Sequence, residues 1–99
     1  MTEKKLKSGR KVKIKSMSVD QMDECTDIPE VIFQGGSIKT IRNSSKARTE
    51  WIRCGLGGGD FKKYEEIDGV ATDSVIKQMT LEEKDELMSL IQDVQTLGE

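Results

Sequence analysis

The stretch KSGRKVKIKSMSVDQ, residues 7–21, changes from the repeat of a β-strand to the start signal of a helix. Val12 and Ile14 alternate with lysines, which is the period-two pattern of a strand that has one face in water. A Ser-Gly turn pair precedes this strand at positions 8–9. We therefore expect a β-hairpin whose first strand lies around Lys4–Lys7.

The second half of the same stretch begins a helix. Ser18 and Gln21 have the spacing of a capping box, in which each side chain bonds the backbone N–H group of the other residue. Pro29 ends the helix at or before Ile28, because the residue before a proline avoids the helical conformation. Cys25 falls on the apolar face of this helix. A strand that leads directly into a capped helix predicts a mixed fold.

A second hairpin is expected next, with strands at Val31–Phe33 and Ile38–Ile41. The Gly-Gly pair between them, Gly35 and Gly36, suits a tight turn. The alternative interpretation of this segment is an irregular loop.

Another helix follows, with Asn43 or Ser44 as its cap and Gly55 where a left-handed helix-ending residue belongs. Three apolar residues at i, i+4, i+7 spacing form its buried face: Ala47, Trp51 and Cys54.

The clearest helical pattern lies at the C-terminal end of the chain. Thr80 and Glu83 form a second capping box, and Gly98 stands where the helix is expected to end. The apolar stripe of this helix consists of Leu87, Leu90, Ile91, Val94 and Leu97.

Residues 57–76, between these helices, are weakly patterned and begin with three glycines. A dinucleotide-binding loop follows a strand and opens a helix, and a Walker loop ends in Gly-Lys-Ser or Gly-Lys-Thr; neither pattern is present here. We interpret Gly57–Gly59 as a hinge and the following residues as a long connection, with a turn at Asp68–Gly69.

These elements predict a single small α+β domain, residues 1–99. It has short N-terminal antiparallel β-hairpins and about three helices, the longest of which is C-terminal. Residues 1–56 form the β-hairpin region with two helices, residues 57–76 form the glycine-rich hinge and connection, and residues 77–99 form the C-terminal amphipathic helix.

Composition favours a protein that depends on a partner. Hydrophobic residues make up 34% of the chain and charged residues another 34%, so the core is expected to be thin. Charge alternates along the chain: the net charge is +6 over residues 1–15, −5 over 16–30, +3 over 31–60 and −6 over 61–99. Such alternation suits electrostatic docking between segments, or head-to-tail contact between copies.

No catalytic, cofactor or metal site is expected, and an enzyme is the least favoured class. The chain has no histidine to activate a thiol or to complete a zinc shell, and its cysteines do not form a C-x-x-C pair. Each cysteine lies on an apolar helix face, which favours core packing. No signal-like or membrane-spanning apolar run is present, so we expect a cytoplasmic protein with no membrane partner.

The order of three motifs resembles small tail-assembly chaperones and related assembly proteins of tailed bacteriophages. The motifs are LKSGRKVKIKSMSVDQMDE at 6–24, a middle helix with Trp51 and CGL at 54–56, and MTLEEKDELMSLIQDV at 79–94. Such proteins often start with L-x-S-G-x-x-V-x-I and close with a T/S-x-E-E capped helix. The resemblance implies a non-enzymatic α+β protein of the infected host's cytoplasm that binds the tape-measure or another tail component.

Our leading hypothesis is therefore a phage assembly protein that presents an apolar helix face and charged edges to a partner protein. The expected partner contacts are Leu87, Leu90, Ile91 and Val94, with Lys11, Lys13 and Lys15 as electrostatic guides. One alternative is a small nucleic-acid-binding regulator that uses the basic N-terminal hairpin. Another is a phage inhibitor of a host protein, whose acidic C-terminal third imitates nucleic acid. A homo-oligomer is also compatible with the charge pattern.

Overall fold

A computed structural model of the chain describes residues 1–97, and the side chains of all of these except 30–34, 38–42 and 97. The fold is a small mixed α+β domain with antiparallel strands at the N-terminus and the longest helix at the C-terminus, as predicted. Its strands are β1 (Thr2–Lys5), β2 (Lys11–Ile14), β3 (Glu30–Gln34), β4 (Ser37–Arg42), β5 (Leu56–Gly59), β6 (Glu66–Ile67) and β7 (Val70–Ala71). Its helices are α1 (Val19–Asp27), α2 (Ser44–Gly55), α3 (Asp73–Ile76) and α4 (Leu81–Leu97).

The main sheet has three antiparallel strands in the order β1-β2-β5. The alternation predicted for β2 is confirmed, because Val12 and Ile14 are buried while Lys11 and Lys13 are exposed. The first strand lies about two residues earlier than predicted, and Leu6 is buried at the turn that follows it. One face of this hairpin therefore belongs to the core and the other faces water.

Both capping boxes are confirmed. In the first, the Gln21 N–H group donates to Ser18 Oγ at 3.1 Å, and the Ser18 N–H group donates to Gln21 Oε1 at 3.0 Å. In the second, the Glu83 N–H group donates to Thr80 Oγ1 at 3.1 Å, and the Thr80 N–H group donates to Glu83 Oε1 at 2.9 Å. These local bonds satisfy N–H groups that a helix start leaves without an intrahelical partner.

The second hairpin is confirmed as β3 paired with β4, and its turn contains Gly35 and Gly36, both with positive φ. A positive φ at both central residues is what a type I′ two-residue hairpin turn requires. The predicted turn at Asp68–Gly69 is confirmed as well, since these residues connect β6 to β7.

Helix α2 buries Ala47, Trp51 and Cys54, as its spacing predicts. The prediction that Gly55 ends this helix in the left-handed conformation was wrong. Gly55 is the last helical residue and has no positive φ, while Leu56 after it is already extended. The reason for a glycine at this position is packing: Ile91 of α4 lies against it.

The hinge prediction for Gly57–Gly59 was also wrong, because these glycines belong to β5, in which Gly58 and Gly59 pair with Lys13 and Val12 of β2. The residues after them are not a structureless connection either, since they contain β6, β7 and the short helix α3. Glycine is required at Gly59, where φ is +132° and a Cβ atom would lie 2.3 Å from the Lys11 carbonyl oxygen. The missing side chains allow the two backbones to approach.

One core joins the sheet to the helices. Its largest fully buried side chains come from both ends of the sequence and include Leu6, Ile14, Ile52, Leu56, Leu87 and Ile91. Helix α4 packs against α2, which in turn contacts α1. The predicted end of α4 at Gly98 lies outside the described residues.

The acidic C-terminal third folds back on the basic N-terminal hairpin. Glu83 at the start of α4 accepts from Arg10 Nε at 2.8 Å, and Lys15 Nζ lies 3.3 Å from Glu66. The Glu86 carboxylate accepts from the Lys7 backbone N–H group at 3.1 and 3.2 Å. Docking between oppositely charged segments, which the charge pattern suggested, thus occurs within the chain.

Candidate docking surface

The apolar stripe of α4 is core, which corrects its predicted use for a partner. Leu87 and Ile91 are 0% exposed and Val94 is 3% exposed, while Leu90 is partly buried against the same core. A residue this buried cannot contact another protein while the domain is folded. The spacing correctly identified a buried face, but this domain itself covers that face.

Lys15 is also occupied within the chain. Its ammonium group pairs with Glu66 and donates to the Gly69 carbonyl oxygen, so it ties β2 to the β6–β7 hairpin. Hydrogen bonds from Tyr64 and Lys15 lower the pKa of Glu66, although partial burial opposes this. Lys15, one of the three lysines predicted as electrostatic guides, therefore has its ammonium group engaged within this chain.

The other two, Lys11 and Lys13, are exposed on the outer side of the main sheet together with Lys5. Lys5 lies directly opposite Lys11 in the register, and Glu3 lies opposite Lys13. Directly opposed residues of antiparallel strands point to the same face, as do residues two apart on one strand. We call Lys5, Lys11 and Lys13 the lysine face.

Strand β5 leaves this face open on one side. Gly58 is the register partner of Lys13, and the Lys13 stem lies over it, with its Cδ atom 3.3 Å from where a Cβ atom would be. Gly57–Gly59 add no side chains of their own beside the lysines of β2, and the exposed Met1 side chain lies over Gly57. The glycine-rich stretch therefore shapes the surface beside the lysine face.

Arg10 fixes the turn before this face to the rest of the domain. Its guanidinium donates to Glu83 Oε2 at 2.8 Å, to the Asp60 carbonyl at 2.5 Å and to the Gln78 carbonyl at 3.1 Å. It also stacks 5.0 Å from the centre of the Phe61 ring. These contacts make Arg10 a structural anchor of the hairpin.

Glu83 is the acidic counterpart of this anchor and is 7% exposed. Its burial would raise the pKa of the carboxyl group, but hydrogen bonds from Arg10, the Thr80 backbone and Ser8 outweigh this and lower the pKa to about 2. The carboxylate is thus charged at neutral pH, with its oxygens engaged by donors. It holds the N-terminal turn on the start of α4.

The cysteines are buried free thiols, as expected from their apolar positions. Burial raises the pKa of Cys25 to about 12, with further contributions from Cys54 and Glu50. Burial likewise raises the pKa of Cys54, whose Sγ atom lies 3.6 Å from Glu50 Oε1. Both thiols stay protonated at neutral pH, and the thiolate is the reactive form.

A second charged surface lies on α1. Four exposed acids at i, i+3, i+4, i+7 spacing form one stripe along this helix. We call them the acidic stripe: Asp20, Asp23, Glu24 and Asp27. Together with Ile28 they line a shallow depression of about 530 Å³. The spacing of these acids is readable in the sequence, where they contribute to the net charge of −5 over residues 16–30.

Two further findings concern the described part of the chain. Among residues 1–97, no helix is long and apolar enough to cross a membrane. Within the same residues, no group of three or more acidic or cysteine side chains is arranged to hold a metal ion.

Comparison of the chain with protein-family models, with curated proteins and with solved structures found no significant match in any of the three. The resemblance to phage tail-assembly proteins therefore stays a prediction.

Proposed function

We propose that this chain is a non-enzymatic binding protein whose lysine face docks an acidic surface of another protein. The setting we propose is virion tail assembly in a tailed bacteriophage, as the sequence resemblance implies. The observation that carries the docking proposal is the exposed, directly opposed pair Lys5 and Lys11 beside Lys13. Like charges directly opposite each other in a sheet are destabilising, and a bound acidic surface would relieve that repulsion.

A protein partner is favoured over single-stranded nucleic acid by the position of the aromatic side chains. Trp51 is buried in the core, Phe61 packs beneath Arg10, and the Tyr64 hydroxyl donates to the Leu56 carbonyl oxygen at 2.9 Å. Binding of single strands relies on exposed aromatic rings for base stacking, and these three rings are committed to the fold.

The inhibitor hypothesis receives less support from the same geometry. Acids of the C-terminal third that would imitate nucleic acid are paired with this chain's own basic residues: Glu66 with Lys15, Asp73 with Arg53, Glu83 with Arg10 and Asp85 with Arg48.

Co-expression with the tape-measure and other tail proteins of the same genome, followed by a pull-down, tests the proposal. We expect one of these proteins to be retained by the wild-type chain and lost with K11E/K13E. The matched control is K46E/K77E, which changes the net charge equally at exposed lysines outside the sheet and should retain the partner.

A duplex DNA oligonucleotide serves as the competing probe. If no tail protein is retained and the chain instead binds this DNA with an affinity that falls steeply with salt, the protein-docking proposal is wrong and the nucleic-acid alternative replaces it. Equal retention by wild type and K11E/K13E would also overturn the role of the lysine face.

A further inference from the structure

We propose that the acidic stripe of one copy docks on the lysine face of the next, so that copies of this chain associate head to tail. This inference rests on the proposed function, because it names a second copy as one acidic partner of the same lysine face. The two surfaces have opposite charge, and both are exposed.

The acidic stripe is costly for the helix that carries it. Asp20 and Glu24 are four residues apart, as are Asp23 and Asp27, and like charges at this spacing destabilise a helix. Asp27 is also the last residue of α1, where the helix dipole favours cations. On the lysine face, Lys5 and Lys11 lie directly opposite each other, and their positive charges repel. Contact between the two surfaces would relieve both repulsions.

The two surfaces also agree in size. The seven steps from Asp20 to Asp27 rise about 10 Å along the helix axis. Lys11 and Lys13 lie about 7 Å apart along their strand, with Lys5 beside them across the sheet. Flexible lysine stems extend this reach, so three ammonium groups can meet carboxylates on the stripe.

Within one copy, no salt bridge between the two surfaces is seen among the described side chains. Arg10, Lys15, Arg48 and Arg53 pair with acids outside the acidic stripe. A contact between different patches on two copies is heterologous. Such a contact generates rings or open chains rather than a closed pair.

Neutral variants of each surface provide the test. The face variant is K11Q/K13Q and the stripe variant is D23N/D27N, all at exposed positions. By sedimentation velocity at low salt, wild type should form species larger than dimers as concentration rises. Each variant alone should associate at least about tenfold more weakly. High salt should weaken wild-type association, because the screening length falls from about 10 Å at 0.1 M to about 3 Å at 1 M.

Mixing the two variants gives the decisive result. The face variant keeps an intact stripe and the stripe variant keeps an intact face, so an equal mixture can form one contact and should stop at a dimer. This recovery also shows that both variants are folded. A wild-type chain that stays monomeric at low salt, or a mixture that stays monomeric, would overturn the head-to-tail contact.

Failure of this inference can be told apart from failure of the proposed function. If self-association falls with K11Q/K13Q but survives D23N/D27N, the acidic stripe is not the partner surface and the head-to-tail contact is wrong. A tail protein that the stripe variant still retains would leave the proposed function standing. If wild type itself binds no tail protein, that result contradicts the proposed function and does not bear on the head-to-tail contact.

Discussion

The Cγ2 atom of Ile91 lies 2.4 Å from the point where a Cβ atom on Gly55 would be. Gly55 ends α2 and Ile91 lies in the middle of α4, so this contact marks a place where the two helices approach closely. Both residues are buried. The glycine is therefore required by packing between helices that are distant in sequence.

Replacing Gly55 with alanine should destabilise the domain by about 1–3 kcal/mol, the usual cost of overpacking a core. The methyl group would collide with the β-branched side chain of Ile91, which is fully buried. Urea unfolding of G55A measures the loss. I91A should cost about 2–5 kcal/mol by itself, and the double variant should lose less than the sum because the alanine at 91 makes room. Additive losses would show that the two positions do not interact.

Gly59→Ala should be more damaging than Gly57→Ala. At Gly59 a Cβ atom meets the Lys11 backbone and φ is +132°, whereas at Gly57 the nearest atoms belong to the exposed Met1 side chain. Met1 can move away and a backbone strand cannot. We expect G59A to lose about 2 kcal/mol or more and G57A clearly less, as measured by thermal unfolding followed by circular dichroism. Equal effects would contradict the pairing of β5 with β2 described above.

Glu83 should make stability depend on acid pH. Its folded pKa of about 2 lies below its ordinary value of 4.5, so its contribution is complete above that ordinary value and is lost as pH falls towards 2. E83Q should cost about 2 kcal/mol at pH 7, since it replaces hydrogen bonds to a charged group. The difference in unfolding free energy between E83Q and wild type should shrink as the pH falls from 4.5 to 2. E82Q, at the exposed neighbour, is the control and should show little change at either pH.

Both thiols should be protected from modification in the folded protein. Cys25 is 0% exposed and Cys54 is 4% exposed, and burial keeps each protonated at pH 8. Reaction with an aromatic disulfide reagent should therefore be slow without urea and should become fast across the unfolding transition. Rapid native-state labelling of either cysteine would argue for a reactive thiol and against a purely structural role.

Local signals in the sequence were sufficient to predict the elements whose hydrogen-bonding partners are near in the chain. The bonds of each capping box join residues three positions apart, so Ser18 with Gln21 and Thr80 with Glu83 identify helix starts without knowledge of the fold. The alternation around Val12 and the glycine pair in the second hairpin act over equally short distances. These signals together were enough for the α+β class and the long C-terminal helix.

Tertiary structure decided the features that depend on residues far apart in sequence. An amphipathic stripe shows that Leu87 and Ile91 are buried, but it does not say whether this chain or another protein covers them. The three glycines look like a hinge until β5 is seen beside β2, because strand pairing over such a distance leaves no local trace. The salt bridge between Arg10 and Glu83 likewise joins residues far apart in sequence and leaves no local trace. By itself the sequence determined where α1 and α4 begin, because their capping bonds are local. Packing between distant segments decided which charged and apolar surfaces remain available to a partner.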